Sequence, residues 1–135
     1  MSRIFVFPGQ GSQVIGMGKA LADAYPSARA VFQEVDDALS QNLFTLMTQG
    51  AESDLNLTEN TQPALMAVSV AAARVLMEQA GKTLPELAAY VAGHSLGEYS
   101  ALCVAGTFSL SDCARLLKTR GQAMQSAVPV GQGAM

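Results

Sequence analysis

The chain has 135 residues, enough for one domain with a single hydrophobic core. Half of the residues are hydrophobic and 14% are charged, which excludes a disordered polymer. The net charge is −3 and the lysines and arginines form no basic block, which argues against nucleic acid as the main partner.

The start of the chain, Met1-Ser2-Arg3, is too short for a signal peptide and lacks a cleavage site. Arg3 to Phe7 holds four consecutive apolar residues and is expected to be a central parallel strand ended by Pro8. The next stretch, Gly9 to Gly18, is glycine-rich and leads into a helix. It has neither the G-x-G-x-x-G spacing nor a P-loop lysine, so a nucleotide cradle is disfavoured. It can be a plain tight turn. Alternatively, it can bring backbone N–H groups to another loop's ligand, as the second oxyanion donor of hydrolase-like sheets does.

Lys19 to Ser40 has a helical pattern with a break near Pro26, which suits a first helical turn. Val31, Val35, Ala38 and Leu39 share one stripe, while Glu34, Asp36 and Asp37 are expected on a solvated face. Leu43 to Met47 reads as a short helix and Gln49 to Asn60 as an exposed loop. Thr61 to Ala80 is a strong helix candidate, with Pro63 near its start and Gly81 at its end. Its apolar residues run round most of the circumference, so it is expected in the core, with Gln62 one of few polar groups able to reach inward. Its longest apolar run, around Ala64 to Ala73, contains Ser69 and is too short to span a bilayer.

After a turn at Pro85 and Glu86, Ala88 to Ala92 has the length of a buried strand. The chain then turns through Gly93-His94-Ser95-Leu96-Gly97 and leaves as a helix, Leu96 to Ala105, closed by Gly106. A bare G-x-S-x-G arises by chance in roughly one such chain in twenty, so the strand before and helix after carry the weight. Together they supply the context of a nucleophilic serine at Ser95. Cys103 and Cys113 are the only two cysteines, which fits a cytoplasmic protein with reduced thiols.

Ser109 or Ser111 can cap a last helix, from about Asp112 to Ala127. On it, Arg120 lies four residues from Leu116 and Met124 and three from Leu117. A guanidinium on an apolar stripe calls for an anionic partner. That partner is either a core acid in a salt bridge or a bound carboxylate, for which the arginine fork is suited.

Acyl transfer by a serine needs a general base. The chain's one histidine, His94, directly precedes Ser95, and neighbours on a sharp turn point apart, so a packing role is expected for it. Only two strands are evident, and the chain stops at Gly131 to Met135 as an apolar segment starts. The expected object is the front part of a larger enzyme.

Four motifs then stand in one order: F-P-G-Q-G-S-Q at Phe7 to Gln13, T-Q-P-A at Thr61 to Ala64, G-H-S-L-G-E-Y at Gly93 to Tyr99, and T-R-G-Q-A-M at Thr119 to Met124. In these the chain resembles the malonyl-CoA:acyl carrier protein transacylases of bacterial fatty acid synthesis and, more broadly, the acyltransferase domains of polyketide synthases. The resemblance covers the whole chain. It implies that Ser95 is the acylated nucleophile, that the backbone N–H groups of Gln10 and Leu96 form the oxyanion hole, and that Arg120 binds the malonyl carboxylate. Gln62 is implied near the active site, and His94 matches the family's histidine before the nucleophile, which is not its base. The family's base lies beyond residue 135.

The implied fold is α/β. The chain would be the N-terminal portion of a hydrolase-like parallel-sheet subdomain, with the inserted ferredoxin-like subdomain missing. Residues 1–135 would be a partial domain ending near the start of that insertion. Malonyl-CoA and phosphopantetheinylated acyl carrier protein are the implied substrates, with no bound cofactor or metal. A general serine thioesterase or hydrolase would share the turn at Ser95, and a non-catalytic fragment or scaffold would share the fold.

Overall fold

A computed structural model describes residues 2–133 of the chain. Ala134 and Met135, part of the expected C-terminal apolar segment, lie outside the described residues. Strand β1 (Ile4–Phe7) pairs in parallel with β2 (Tyr90–Gly93), in the register Ile4 to Tyr90 through Phe7 to Gly93. Parallel strands need a long crossover. Here it consists of six helices: α1 (Lys19–Ala24), α2 (Pro26–Leu39), α3 (Leu43–Gln49), α4 (Glu52–Leu55), α5 (Thr58–Ala80) and α6 (Leu84–Leu87). After β2 come α7 (Leu96–Val104) and α8 (Leu110–Ala127). The fold is α/β, a small parallel sheet among many helices.

The main core is helical. Val31, Phe32 and Val35 of α2, Leu43 and Met47 of α3, Met66 and Val70 of α5, Leu96 of α7 and Leu117 of α8 are all buried in one cluster. A smaller cluster, Phe7, Ala73 and Ala101, ties the sheet to α5 and α7. The strands are therefore less buried than a central parallel pair should be: Ile4, Val6 and Tyr90 are exposed.

Helix α5 organises the rest. It begins at Thr58, a turn earlier than the proline signal suggests, because the Leu57 carbonyl accepts from the Asn60 and Thr61 N–H groups. Pro63 thus sits inside the helix, where its missing N–H removes one bond to the Glu59 carbonyl. Gly81 ends the helix in the left-handed conformation, at φ 61°. Helix α8 crosses the start of α5 at Gly121, where a Cβ would stand 2.6 Å from Glu59 Cα. Glycine inside a helix costs about 1 kcal/mol, and here it permits that close crossing.

Two expectations need correction. The segment expected as an exposed loop from Gln49 to Asn60 contains α4 and the first turn of α5. Leu55 is fully buried in it, and Thr61 and Asn60 side chains bond the Leu55 and Asp54 carbonyls. The acids of α2 are not all solvated. Glu34 accepts from Ser111 Oγ at 2.9 Å and Asp36 from the Phe44 N–H at 3.0 Å, and burial raises the Asp36 carboxyl above its ordinary pKa. Of the two serines expected as possible caps of α8, Ser109 is the one, accepting from the Asp112 N–H at 3.1 Å.

Cys103 and Cys113 are free and buried, facing each other across α7 and α8. Their proximity lowers the Cys103 thiol and, with burial, raises the Cys113 thiol. No helix of the described residues is long and apolar enough to cross a membrane.

Candidate active site

Ser95 occupies the turn between β2 and α7 with φ 54° and ψ −116°. Ser40 is the only other non-glycine with positive φ among the described residues. Such a backbone costs on the order of 1–3 kcal/mol and persists only where its surroundings enforce it. They do so here by three bonds: the His94 N–H donates to Phe7 O at 3.1 Å, the Gly97 N–H to His94 O at 2.8 Å, and the Glu98 N–H to Ser95 O at 3.1 Å. Helix α7 then folds back so tightly that a Cβ on Gly93 would overlap the Gly97 carbonyl, and one on Gly97 would overlap the Phe7 carbonyl. The result holds the Ser95 side chain at the surface.

The glycine-rich loop after β1 meets this turn. Gly9 is buried, and a Cβ there would stand 2.6 Å from His94 Nδ1 and 2.8 Å from His94 O. The loop is fastened beyond it: Gln10 Nε2 donates to Thr58 Oγ1 at 3.2 Å, and Gln13 Nε2 donates to Asn56 Oδ1 at 2.8 Å. Neither the Gln10 nor the Leu96 backbone N–H donates to another group among the described residues. Leu96 opens α7, so its N–H is one of the unpaired donors of a helix start.

Arg120 reaches this turn from α8. Its Nη2 donates to Ser95 Oγ at 3.2 Å and its Nη1 to Gln62 Oε1 at 2.7 Å. Gln62 is 1% exposed, and its Nε2 donates to Met124 Sδ at 3.3 Å. One glutamine amide thus joins α5 to two successive turns of α8. No acid pairs with Arg120 among the described residues, so of the two partners left open by the sequence the core acid is not found there. The arginine also lies beside the buried stripe rather than within it: Leu117 is buried, Leu116 is exposed and Met124 is half-buried. Beneath the guanidinium lies the Tyr99 ring, its centroid 5.6 Å from Arg120 Cζ.

His94 differs from expectation in being exposed, although its ring lies against Gly9. No hydrogen bond joins it to Ser95 among the described residues. A cleft of about 350 Å³ opens beside the site, lined by Thr58, Met124, Gln125, Val128, Pro129 and Val130. The described residues contain no group of three metal-ligating side chains.

Four distant segments, the loop after β1, the start of α5, the β2–α7 turn and the middle of α8, therefore converge on one serine and one arginine. The same segments carry the four ordered motifs. The acyl transferase domain profile matches residues 4–135. The chain belongs to the acyl transferase domain family. It is 50% identical over 131 residues to the malonyl CoA-acyl carrier protein transacylase of Escherichia coli K12, covering 97% of this chain and 41% of that protein. Among solved structures, an acyl-carrier-protein-S-malonyltransferase from Bartonella henselae superimposes with a TM-score of 0.92 at 61% identity, over 97% of this chain and 41% of that one. A type II PKS acyl-carrier protein in complex with its malonyl-transacylase matches with a TM-score of 0.88 at 48% identity, over 96% of this chain and 40% of that one. The acyl transferase chain described here spans about two fifths of the length of these relatives.

Sequence reasoning placed Ser95, Gln10, Leu96, Gln62, His94 and Arg120, and the fold brings all of them to one end of the sheet. It gave no role to Tyr99, although that residue closes the G-H-S-L-G-E-Y motif. The signal was its position four residues after Ser95, one helical turn beyond the sharp turn.

Proposed function

We propose that the enzyme represented by this chain transfers a malonyl group from malonyl-CoA to the phosphopantetheine thiol of acyl carrier protein in cytoplasmic fatty acid biosynthesis. The observation that carries this reading is Arg120, a half-buried guanidinium bonded to a neutral amide and a serine hydroxyl, with no acid among the described residues to neutralise it. Such a group suits a carboxylate-bearing acyl chain. The names of the relatives and the carrier-protein complex of one of them support the same substrates.

In the first step Ser95 Oγ attacks the thioester carbonyl, its proton passes to a base, and the C–S bond breaks to release CoA as the thiol. In the second, the carrier thiol attacks the malonyl-serine ester and Ser95 recovers its proton. The Gln10 and Leu96 N–H groups are free to receive the oxyanion in both steps. Arg120 pairs with the distal carboxylate and fixes which acyl groups react. The base is a histidine carried by the remainder of the enzyme, since His94 makes no bond to Ser95. In this reading the chain is the first part of a hydrolase-like subdomain, and a ferredoxin-like insertion belongs to that remainder.

Intact mass of the full-length enzyme after mixing with malonyl-CoA tests the reading. A malonyl adduct lost in Ser95→Ala is expected, with Arg120→Ala losing malonyl transfer far more than acetyl transfer. Equal losses of the two would overturn the role of Arg120. Rapid release of free malonate in place of an adduct would indicate a thioesterase.

A further inference from the structure

Arg120 poses an electrostatic problem that its hydrogen bonds do not solve. A guanidinium removed from water needs compensation, and an acid beside it would supply that compensation. An acid would also fill the fork and leave nothing for an incoming carboxylate. The two partners that Arg120 does have, Gln62 Oε1 and Ser95 Oγ, are neutral and take two of its five N–H donors.

The compensation comes from the ring of Tyr99. Its centroid lies 5.6 Å from Arg120 Cζ, within the range at which an aromatic face attracts a cation. A ring face stabilises the charge without occupying any N–H donor. The ring is itself held. Phe108 stacks on it with centroids 6.2 Å apart and planes 25° from parallel. The Tyr99 carbonyl accepts from Cys113 Sγ at 3.5 Å. Tyr99 also belongs to the first turns of α7, the helix that starts at Ser95, so the ring and the serine are set by one rigid element.

We infer that Tyr99 is the positioning residue of Arg120: its ring stands in for a counter-ion, holding the guanidinium aimed at Ser95 while leaving donors open for a carboxylate. The substrate half of this inference rests on the carboxylate-receptor reading of Arg120; the positioning half does not.

The test uses the 135-residue chain and the Nε–Hε signal of Arg120 in nitrogen-15 spectra, assigned by its loss in Arg120→Lys. Tyr99→Phe keeps the ring, and Tyr99→Leu and Tyr99→Met remove it with little change of volume. The two ring-less variants guard against a single one that fails to fold, and unchanged amide spectra elsewhere identify the variant to be read. Without ligand, the ring-less variant should move the Arg120 signal to the position of a free arginine, while Tyr99→Phe leaves it in place. Titration with malonate should then show affinity weakened about two- to thirtyfold without the ring and preserved in Tyr99→Phe. An Arg120 signal that stays in place without the ring overturns the inference, whatever malonate does. A signal that moves as expected, in a chain whose Arg120 ignores malonate, upholds the positioning role and overturns the carboxylate-receptor reading alone.

Discussion

Gln62 Oε1 accepts a 2.7 Å hydrogen bond from Arg120 Nη1, joining α5 and α8 across 58 positions of sequence. The amide is neutral and almost wholly buried, so it orients the guanidinium while leaving its charge uncancelled. Gln62→Glu should reverse that. A carboxylate in the same place would pair with Arg120, and the charge-assisted bond would compete with any bound acid. Malonate affinity should fall about tenfold or more, while the thermal midpoint of the chain is kept or raised. Undiminished malonate binding in Gln62→Glu would show that the charge of Arg120 is not what receives the ligand.

The strained backbone of Ser95 gives a second expectation. Glycine adopts a positive φ without a side-chain penalty, so Ser95→Gly should stabilise the chain by about 1 kcal/mol. Ser95→Ala keeps the strain and should show no such gain. In the full-length enzyme both should lose the malonyl adduct. Urea unfolding of the three proteins, compared with their intact masses, separates the conformational role of the position from its chemical one.

Gly93 and Gly97 are held by contact with backbone, which cannot yield as a flexible side chain can. Gly93→Ala and Gly97→Ala should each cost more than about 3 kcal/mol. Gly106 has φ 88° and open space around it, so Gly106→Ala should cost only about 1–2 kcal/mol. Equal losses at all three sites, measured by urea unfolding, would contradict the tight packing of α7 on the strands.

Asp36 sets a pH dependence. Burial raises its carboxyl pKa in the folded chain, so the folded state holds this proton more tightly than the unfolded state. The stability it contributes is therefore present below the ordinary carboxylate range and is lost as pH rises through the raised value. Asn at this position can still accept from the Phe44 N–H and carries no charge. Asp36→Asn should match the parent near about pH 3 and exceed it near about pH 7. A difference that does not grow with pH, in urea midpoints taken across that range, would show that Asp36 stays comfortably ionised where it is.

The sequence spoke most clearly where backbone chemistry is local. The glycines around Ser95 and the proline and glycine bounding α5 marked their elements directly, because φ restrictions act within a few residues. The convergence on Ser95 was legible only through the order of the four motifs. What escaped notice depends on partners far along the chain. Leu55 is buried by helices that come both before and after it, so its stretch of polar neighbours read as a loop. Glu34 faces Ser111, 77 positions away, and nothing in the periodicity of α2 marks it as different from exposed Asp37. Tyr99 stood in a motif but without a role for the same reason, since its meaning comes from Arg120 on another helix.

The pairing of β1 with β2 also dictates an order of events. At about 5–20 residues per second of synthesis, β1 waits several seconds for its partner to exist. The intervening helices can fold on their own local contacts in that time, whereas the strands must close the longest loop in the chain. Because the His94 N–H hangs on the Phe7 carbonyl, the turn bearing Ser95 takes its shape only when that closure is made. The turn bearing Ser95 is thus completed only after the six helices between the two strands have been made.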